Sequence, residues 1–420
     1  MDHRASDRSV SEAPGQNRQL VVLAIALVLA MSTWFSTAAV LPQLRTDWGL
    51  SSADGSWLAI VVQLGFVAGA VASASTNLAD RFSPRRVVML GAFGASAANA
   101  AVVVLDAYGP ALVARFLTGA FLAGVYPPAL KAMSSWFRRG RGLALGVMIG
   151  ALTAGSALPH LINGLGGLDW KPTLLAASAA TVLGGIVAEV AGADGPFATA
   201  RAPFDPRQLG AIVASKPFRL ASLGYFGHMW ELYAMWTWAA AFYADAFGGA
   251  SRRWASLAAF AVIGVGAAGS VYAGLVSDRR SRTEAAALAL RWSASAAVVV
   301  GFLVDAPVAV VLAIGLVWGF WVVADSAQFS AIVTEVADPR YVGTALTIQL
   351  AAGFTLTVFS IFLVPIVRDA HGWGWAFLML APGPVLGMWA MRALASLLGT
   401  EDLSVAADVD EPVVYVSPFF

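Results

Sequence analysis

Two acidic residues stand inside long apolar runs, and each has a polar neighbour at helical spacing. Glu231 lies in Gly227-His228-Met229-Trp230-Glu231-Leu232-Tyr233, and Asp325 opens Asp325-Ser326-Ala327-Gln328. Residues three apart on a helix share a face, so Glu231 pairs with His228 and Asp325 with Gln328. An ionisable side chain at the centre of a bilayer costs at least ~2.5–3.5 kcal/mol. It therefore needs a partner, a water-filled cavity or a task. A carboxylate withheld from water favours its protonated form, which suits uptake and release of a proton. A structural bond from a Tyr or Trp on the next helix would also account for Glu231, and a hydrogen bond or ion pair near the helix end would account for Asp325. Arg115, at the start of another apolar run, is the third charged candidate. Anion binding, proton coupling and a helix-end contact with Asp106 are its open readings.

Around these lie residues suited to lining a solute cavity. Trp34, Ser36 and Thr37 in the first apolar run align with Trp236 and its neighbours at an offset near 201. Tyr126, Tyr233, Gln328 and Gln349 join them, and His160 and Asn163 are weaker candidates. Aromatic side chains at such positions also serve plain packing. Other chemistries lack their residues. The chain has no cysteine and four scattered histidines, so neither thiolate chemistry nor a metal site is expected. No phosphate-binding G-x-x-x-x-G-K-[ST] run, cofactor motif or convergent nucleophile and base occurs, so an enzyme is not expected. A net charge of +1 with no basic stripe gives no footing for nucleic acid.

The elements that position these residues are apolar helices. Of 420 residues, 59% are hydrophobic and 12% charged, against roughly a quarter charged in soluble domains. Polar, Gly- and Pro-rich breaks divide the chain into runs of spanning length. Twelve spans are expected near 19–44, 55–76, 86–105, 109–133, 142–163, 172–192, 218–244, 253–276, 284–304, 306–334, 341–367 and 373–398. The fold class is an all-α membrane protein with two pseudo-symmetric six-helix bundles. A tail (1–18) precedes the first bundle (19–192), a linker (193–217) joins the second (218–398), and an acidic tail (399–420) follows. With both termini cytoplasmic, 19 of the 26 basic residues fall on the cytoplasmic side, as the positive-inside rule requires. A multi-pass protein of the inner (plasma) membrane is expected, surrounded by lipid and monomeric.

The halves repeat one another. Leu78-Ala79-Asp80-Arg81, followed by Arg85-Arg86, returns as Gly274-Leu275-Val276-Ser277-Asp278-Arg279 at an offset of 198 between the aspartates. Arg141-Gly142-Leu143-Ala144-Leu145 returns near Val342-Gly343-Thr344-Ala345-Leu346. Duplicated six-helix units are common in secondary transporters, whose sites lie at the midplane between the repeats.

With these motifs, and with Arg115, Gly119, Gly124, Tyr126-Pro127, Trp136-Phe137 and Arg141-Gly142, the chain resembles the major facilitator superfamily from about 19 to 398. Within it the texture is similar to nitrate/nitrite-porter-like and monocarboxylate-porter-like members. The second and eighth spans lack the interior arginines with which nitrate porters clamp their anion. The resemblance implies a gate at the cytoplasmic face built from Asp80, Arg81, Arg85, Arg86, Gly274, Asp278 and Arg279. Those arginines also serve topology alone. It further implies a secondary transporter working by alternating access, taking protons and a small organic or inorganic anion as partners. Proton-antiport efflux of an amphipathic compound is the second reading, and a non-transporting receptor or assembly factor on a transporter fold the third.

Overall fold

The computed structural model describes residues 13–76, 78–137, 140–166, 169–197, 205–248, 252–338 and 340–408, with backbone only at 79, 80 and 400–408. Among the described residues the chain is helical throughout. Eleven helical rods are long and apolar enough to cross a membrane. In chain order they are Gln16–Thr33, Ser52–Thr76, Pro84–Leu105, Tyr108–Ser134, Arg141–Gly166, Trp170–Val190, Arg252–Ser277, Arg282–Leu303, Val308–Val336, Val342–His371 and Trp373–Gly399. Between the sixth and the next of these stands Lys216–Ala246, a helix of 31 residues. It is less apolar, carrying His228 and Glu231 in its middle. Counting it as the seventh gives twelve, numbered first to twelfth below.

In the first half the second helix packs on the fourth and the third on the sixth; in the second half the seventh packs on the twelfth and the ninth on the tenth. The halves meet along the fifth and eighth helices and along the second and eleventh. An even number of spans returns the chain to the end where it began. That end is called the terminal end here, and the other the far end.

Several rods are broken where an unbroken run is expected. The first helix ends in a 3-10 turn at Met31–Thr33 and restarts as Ser36–Ala39 and then Leu41–Trp48. The fourth stops at Leu122 and resumes at Tyr126, because Pro127 and Pro128 lack the N–H that continues a helix. The eighth breaks between Gly264 and Gly266, and the tenth breaks at Asp325. The twelfth pauses before Pro382 and then runs to Asp408, ten residues beyond the expected end of the bundle. The linker holds a short helix, Leu209–Ala214. Residues 1–12 of the first tail and 409–420 of the acidic tail lie outside the described residues.

Glycine sets the closest approach between rods. A Cβ on Gly119 would stand 2.0 Å from the Val62 carbonyl oxygen, and one on Gly65 would stand 1.9 Å from that of Phe116. The second and fourth helices are thus in backbone contact, as small residues permit in a bilayer.

Candidate functional site

Between the halves lies a cavity of about 440 Å³. From the first half, Tyr126, Lys131, Arg141 and Leu145 line it; from the second, Tyr225, His228, Tyr233, Trp236, Gln349 and Phe354. It extends to residues at the terminal ends of helices, including Lys131, Arg141, Arg282 and Thr334. Among the described residues its charged lining side chains are Lys131, Arg141 and Arg282, all cationic; no Asp or Glu lines it. Arg282 is bonded outside to Glu335 at 2.6 Å.

Toward the far end the cavity stops at a cluster of rings. Trp34 lies 4.8 Å from Phe66, 5.9 Å from Tyr233 and 5.8 Å from Phe354 between ring centroids. Phe35 lies 5.8 Å from Tyr233 and meets Trp236 edge-on at 5.4 Å. Two consecutive residues reach the same cluster because the first helix is broken there. Beyond it, Asn163 donates to Ser256 at 2.7 Å and Arg368 to Ser52 at 3.1 Å, tying the halves together at the far end.

Arg115 binds the carbonyls at that break. Its guanidinium is fully buried in the first half and donates to the Thr33 carbonyl at 2.9 Å, to Asn99 Oδ1 at 2.7 Å and to the Trp34 carbonyl. Ser36 donates to Asn99 at 2.7 Å within the same network, and Asn99 donates onward to Leu174 O and Ser178 Oγ. The 3-10 turn frees carbonyls that the cation takes up. Arg115 neither lines the cavity nor meets Asp106. That carboxylate accepts instead from Lys171 at 2.6 Å and Trp48 at 3.1 Å.

The second half holds two polar groups. His228 Nδ1 stands 2.8 Å from Asp325 Oδ1, and its Nε2 is bonded to Ser326 at 2.8 Å. His228 and Ser326 line the cavity, with Asp325 behind them. Glu231, one turn along the seventh helix, faces away and accepts from Trp318 Nε1 at 2.6 Å and from Ser293. The donor is a Trp, but it comes from the tenth helix and not from the next one, and Glu231 is absent from the lining. Gln328 is buried off the cavity, as are Thr37 and His160, while Trp34 and Ser36 belong to the ring cluster and the Arg115 network. Asn163 serves the closure at the far end. Tyr126, Tyr233, Trp236 and Gln349 do line the cavity. Tyr225 was not among the expected residues, although Tyr225-Met229-Tyr233-Trp236 forms one stripe at helical spacing and that signal marks it.

At the loops, both carboxylate oxygens of Asp278 accept backbone amides of the fifth helix, Gly142 at 3.1 Å and Leu143 at 3.0 Å. An anion at a helix N-terminus meets free N–H groups and the positive end of the dipole. Gly274 permits the approach, since a Cβ there would lie 2.5 Å from the Gly142 carbonyl oxygen. In the first-half motif Arg85 donates to Gly192 O at 2.7 Å, and Arg86 stands 3.8 Å from Glu189. Those contacts stay within the first half. Arg81 and Arg279 are exposed. The Asp80 side chain lies outside the described residues.

The profile of the Major Facilitator Superfamily matches residues 23–265. Curated relatives include the puromycin resistance protein of Streptomyces alboniger, 30% identical over 36% of this chain and 31% of its own length. The multidrug efflux pump LfrA of Mycolicibacterium smegmatis is 31% identical over 34% of this chain and 29% of its own. Mouse monocarboxylate transporter 11 is 30% identical over 45% and 43%. The chain thus spans between about a third and under half of each of these relatives. Among solved structures, the human organic anion transporter MFSD10 (TETRAN) superposes with a TM-score of 0.68 at 15% identity, covering 90% of this chain and all of that one. A bacterial homologue of the human lysosomal transporter Spinster gives 0.63 at 15% identity, covering 96% of this chain and all of that one. With that profile over more than half its length and twelve helices in two halves around a central cavity, this multi-pass membrane protein belongs to the Major Facilitator Superfamily.

Proposed function

We propose that the protein is a secondary transporter that moves a small organic anion across the plasma membrane by alternating access, coupled to protons. One observation carries the choice of anion: the charged side chains that line the described cavity are all cationic. A cationic amphiphile would enter past Lys131, Arg141 and Arg282 with no Asp or Glu among the described lining residues, whereas an anion is drawn in along the same path. The relatives' names divide between drug export and monocarboxylate transport, and the cationic lining favours the latter. An aromatic lining of this kind also suits an amphipathic drug, which keeps efflux as the second reading. A scaffold that moves nothing would have no use for a cavity reaching from the ring cluster to the terminal end.

Proton coupling is assigned to His228 and Asp325, because His228 faces the cavity and the pair is in contact. Glu231 is structural in this reading. Both termini are placed in the cytoplasm, following the distribution of Lys and Arg, so the cavity faces inward. The test is counterflow in proteoliposomes containing the full chain. Benzoate or octanoate inside should accelerate entry of labelled benzoate, and ethidium should have no effect. Exchange of ethidium without any exchange of carboxylates would overturn the anion reading in favour of efflux.

A further inference from the structure

We infer that the carboxylate head of the substrate is held by a cradle of neutral donors, the phenols of Tyr126, Tyr225 and Tyr233, and not by an arginine clamp. The inference rests on the anion reading above and names the atoms that would do the binding.

All three side chains line the cavity. Tyr225 and Tyr233 come from one face of the seventh helix and Tyr126 from the fourth, so both halves contribute. None of their hydroxyls forms a hydrogen bond with the protein among the described residues. Trp236 Nε1 and Gln349 Nε2 are closed off from the cavity, so the three phenols are the donors that a ligand reaches. A phenol O–H donates as well as accepts, and no Asp or Glu stands among the described lining residues to take that bond. The acceptor is then one brought by the ligand.

The charge of that acceptor follows from what is absent. Arg115 is consumed by the first helix, and Lys131, Arg141 and Arg282 stand at the terminal ends of their helices. Neutral donors bonded to an ionised acceptor form charge-assisted bonds, roughly twice as strong as neutral ones. That suits one delocalised charge; a dianion would require a fixed cation beside it. The surrounding wall is apolar, with Leu232, Met229 and Phe354 in place for a hydrocarbon or aromatic body. The ligand class is a monocarboxylate with an apolar tail. Room for the cradle is made by Gly353, where a Cβ would lie 2.3 Å from a ring carbon of Tyr225.

Binding of octanoate, benzoate, octanamide and octyltrimethylammonium to the purified full chain in detergent tests this. Trp fluorescence and thermal stabilisation are the readouts. Tyr126→Phe and Tyr233→Phe keep the rings and remove only the hydroxyls, and Tyr243→Phe, in a tyrosine off the cavity, is the control. A hydrogen bond to a charged group is worth about 1.5–3 kcal/mol, so each cavity variant should weaken octanoate or benzoate by roughly tenfold or more. Octanamide should bind weakly to wild type, and the control should match wild type. Carboxylate binding that is unchanged in both cavity variants would overturn the cradle and leave the anion reading intact. Binding of octyltrimethylammonium with neither carboxylate bound by wild type would overturn both, as would no binding of any of the four.

Discussion

His228 Nδ1 lies 2.8 Å from Asp325 Oδ1, joining the middle of the seventh helix to the point where the tenth helix breaks. The imidazole has one edge on the cavity and the other on a buried carboxylate. A ligand and a proton can therefore compete at, or cooperate through, the same ring. Asp325→Asn should abolish accumulation driven by a pH gradient and leave counterflow, which needs no net proton movement, close to wild type. Equal loss in both assays would show that the pair is needed for folding or binding instead.

Glu231 should behave differently. Trp318 and Ser293 both donate to it, and it turns its back on the cavity. Glu231→Gln keeps an acceptor for Trp318 and should retain gradient-driven transport. Glu231→Leu leaves two buried donors unmet, at about 1–3 kcal/mol each, and should lower Tm by several degrees. Loss of gradient-driven transport in Glu231→Gln, with Tm unchanged, would return the proton role to Glu231.

Arg115 joins the third and fourth helices to the broken part of the first. Arg115→Met removes the donor from the Trp34 carbonyl and leaves Thr33 O and Asn99 Oδ1 to share Ser36, at about 1–3 kcal/mol for a buried group left unmet. The expected result is a large fall in Tm, with a smaller one for Arg115→Lys, which reaches fewer acceptors. Thermal unfolding in detergent reads both variants.

Asp106 lies outside the membrane-spanning helices, and its carboxyl is held below the usual range, first by the Lys171 bond and then by the Trp48 bond. A group whose folded pKa is depressed stabilises above its unfolded value and loses that contribution as pH falls through the folded one. Asp106→Asn should therefore cost a small, salt-sensitive amount of Tm at pH 7. The difference from wild type should vanish on acidification below the ordinary carboxylate range, near pH 3.9. A difference that persisted at pH 2 would mean that Asp106 acts through packing rather than charge.

The spans are legible in the sequence because a soluble core cannot bury so many apolar runs of bilayer length, and the break before Pro127-Pro128 follows from missing N–H groups. The break at Asp325 does not, since nothing in Ala324-Asp325-Ser326 forbids a helix. The place of Arg115 is hidden for a related reason. Its acceptors are mainly main-chain carbonyls of the first helix, released by a 3-10 turn, and carbonyls leave no mark in a sequence. That Glu231 needs a Trp or Tyr donor is plain from its apolar surroundings, but which Trp depends on how the seventh and tenth helices pack. Tyr225 is available from its spacing to Tyr233 and Trp236. Its weight becomes evident only once Tyr126, from the other half, lines the same cavity.

The ring cluster around Trp34 has an electrical consequence. Protons travel through proteins along chains of water and hydroxyl groups, each able to pass a proton to the next. Trp34, Phe35, Phe66 and Phe354 are in direct contact with one another or with Tyr233 and Trp236, at centroid separations of 4.7–6.5 Å. Such a stack breaks any conducting chain along the axis of the molecule. It acts as an insulator, so the membrane potential should fall mainly across this thin aromatic layer. If the substrate is the anion proposed above, it crosses most of the field when those rings part, and any voltage sensitivity of transport should belong to that step.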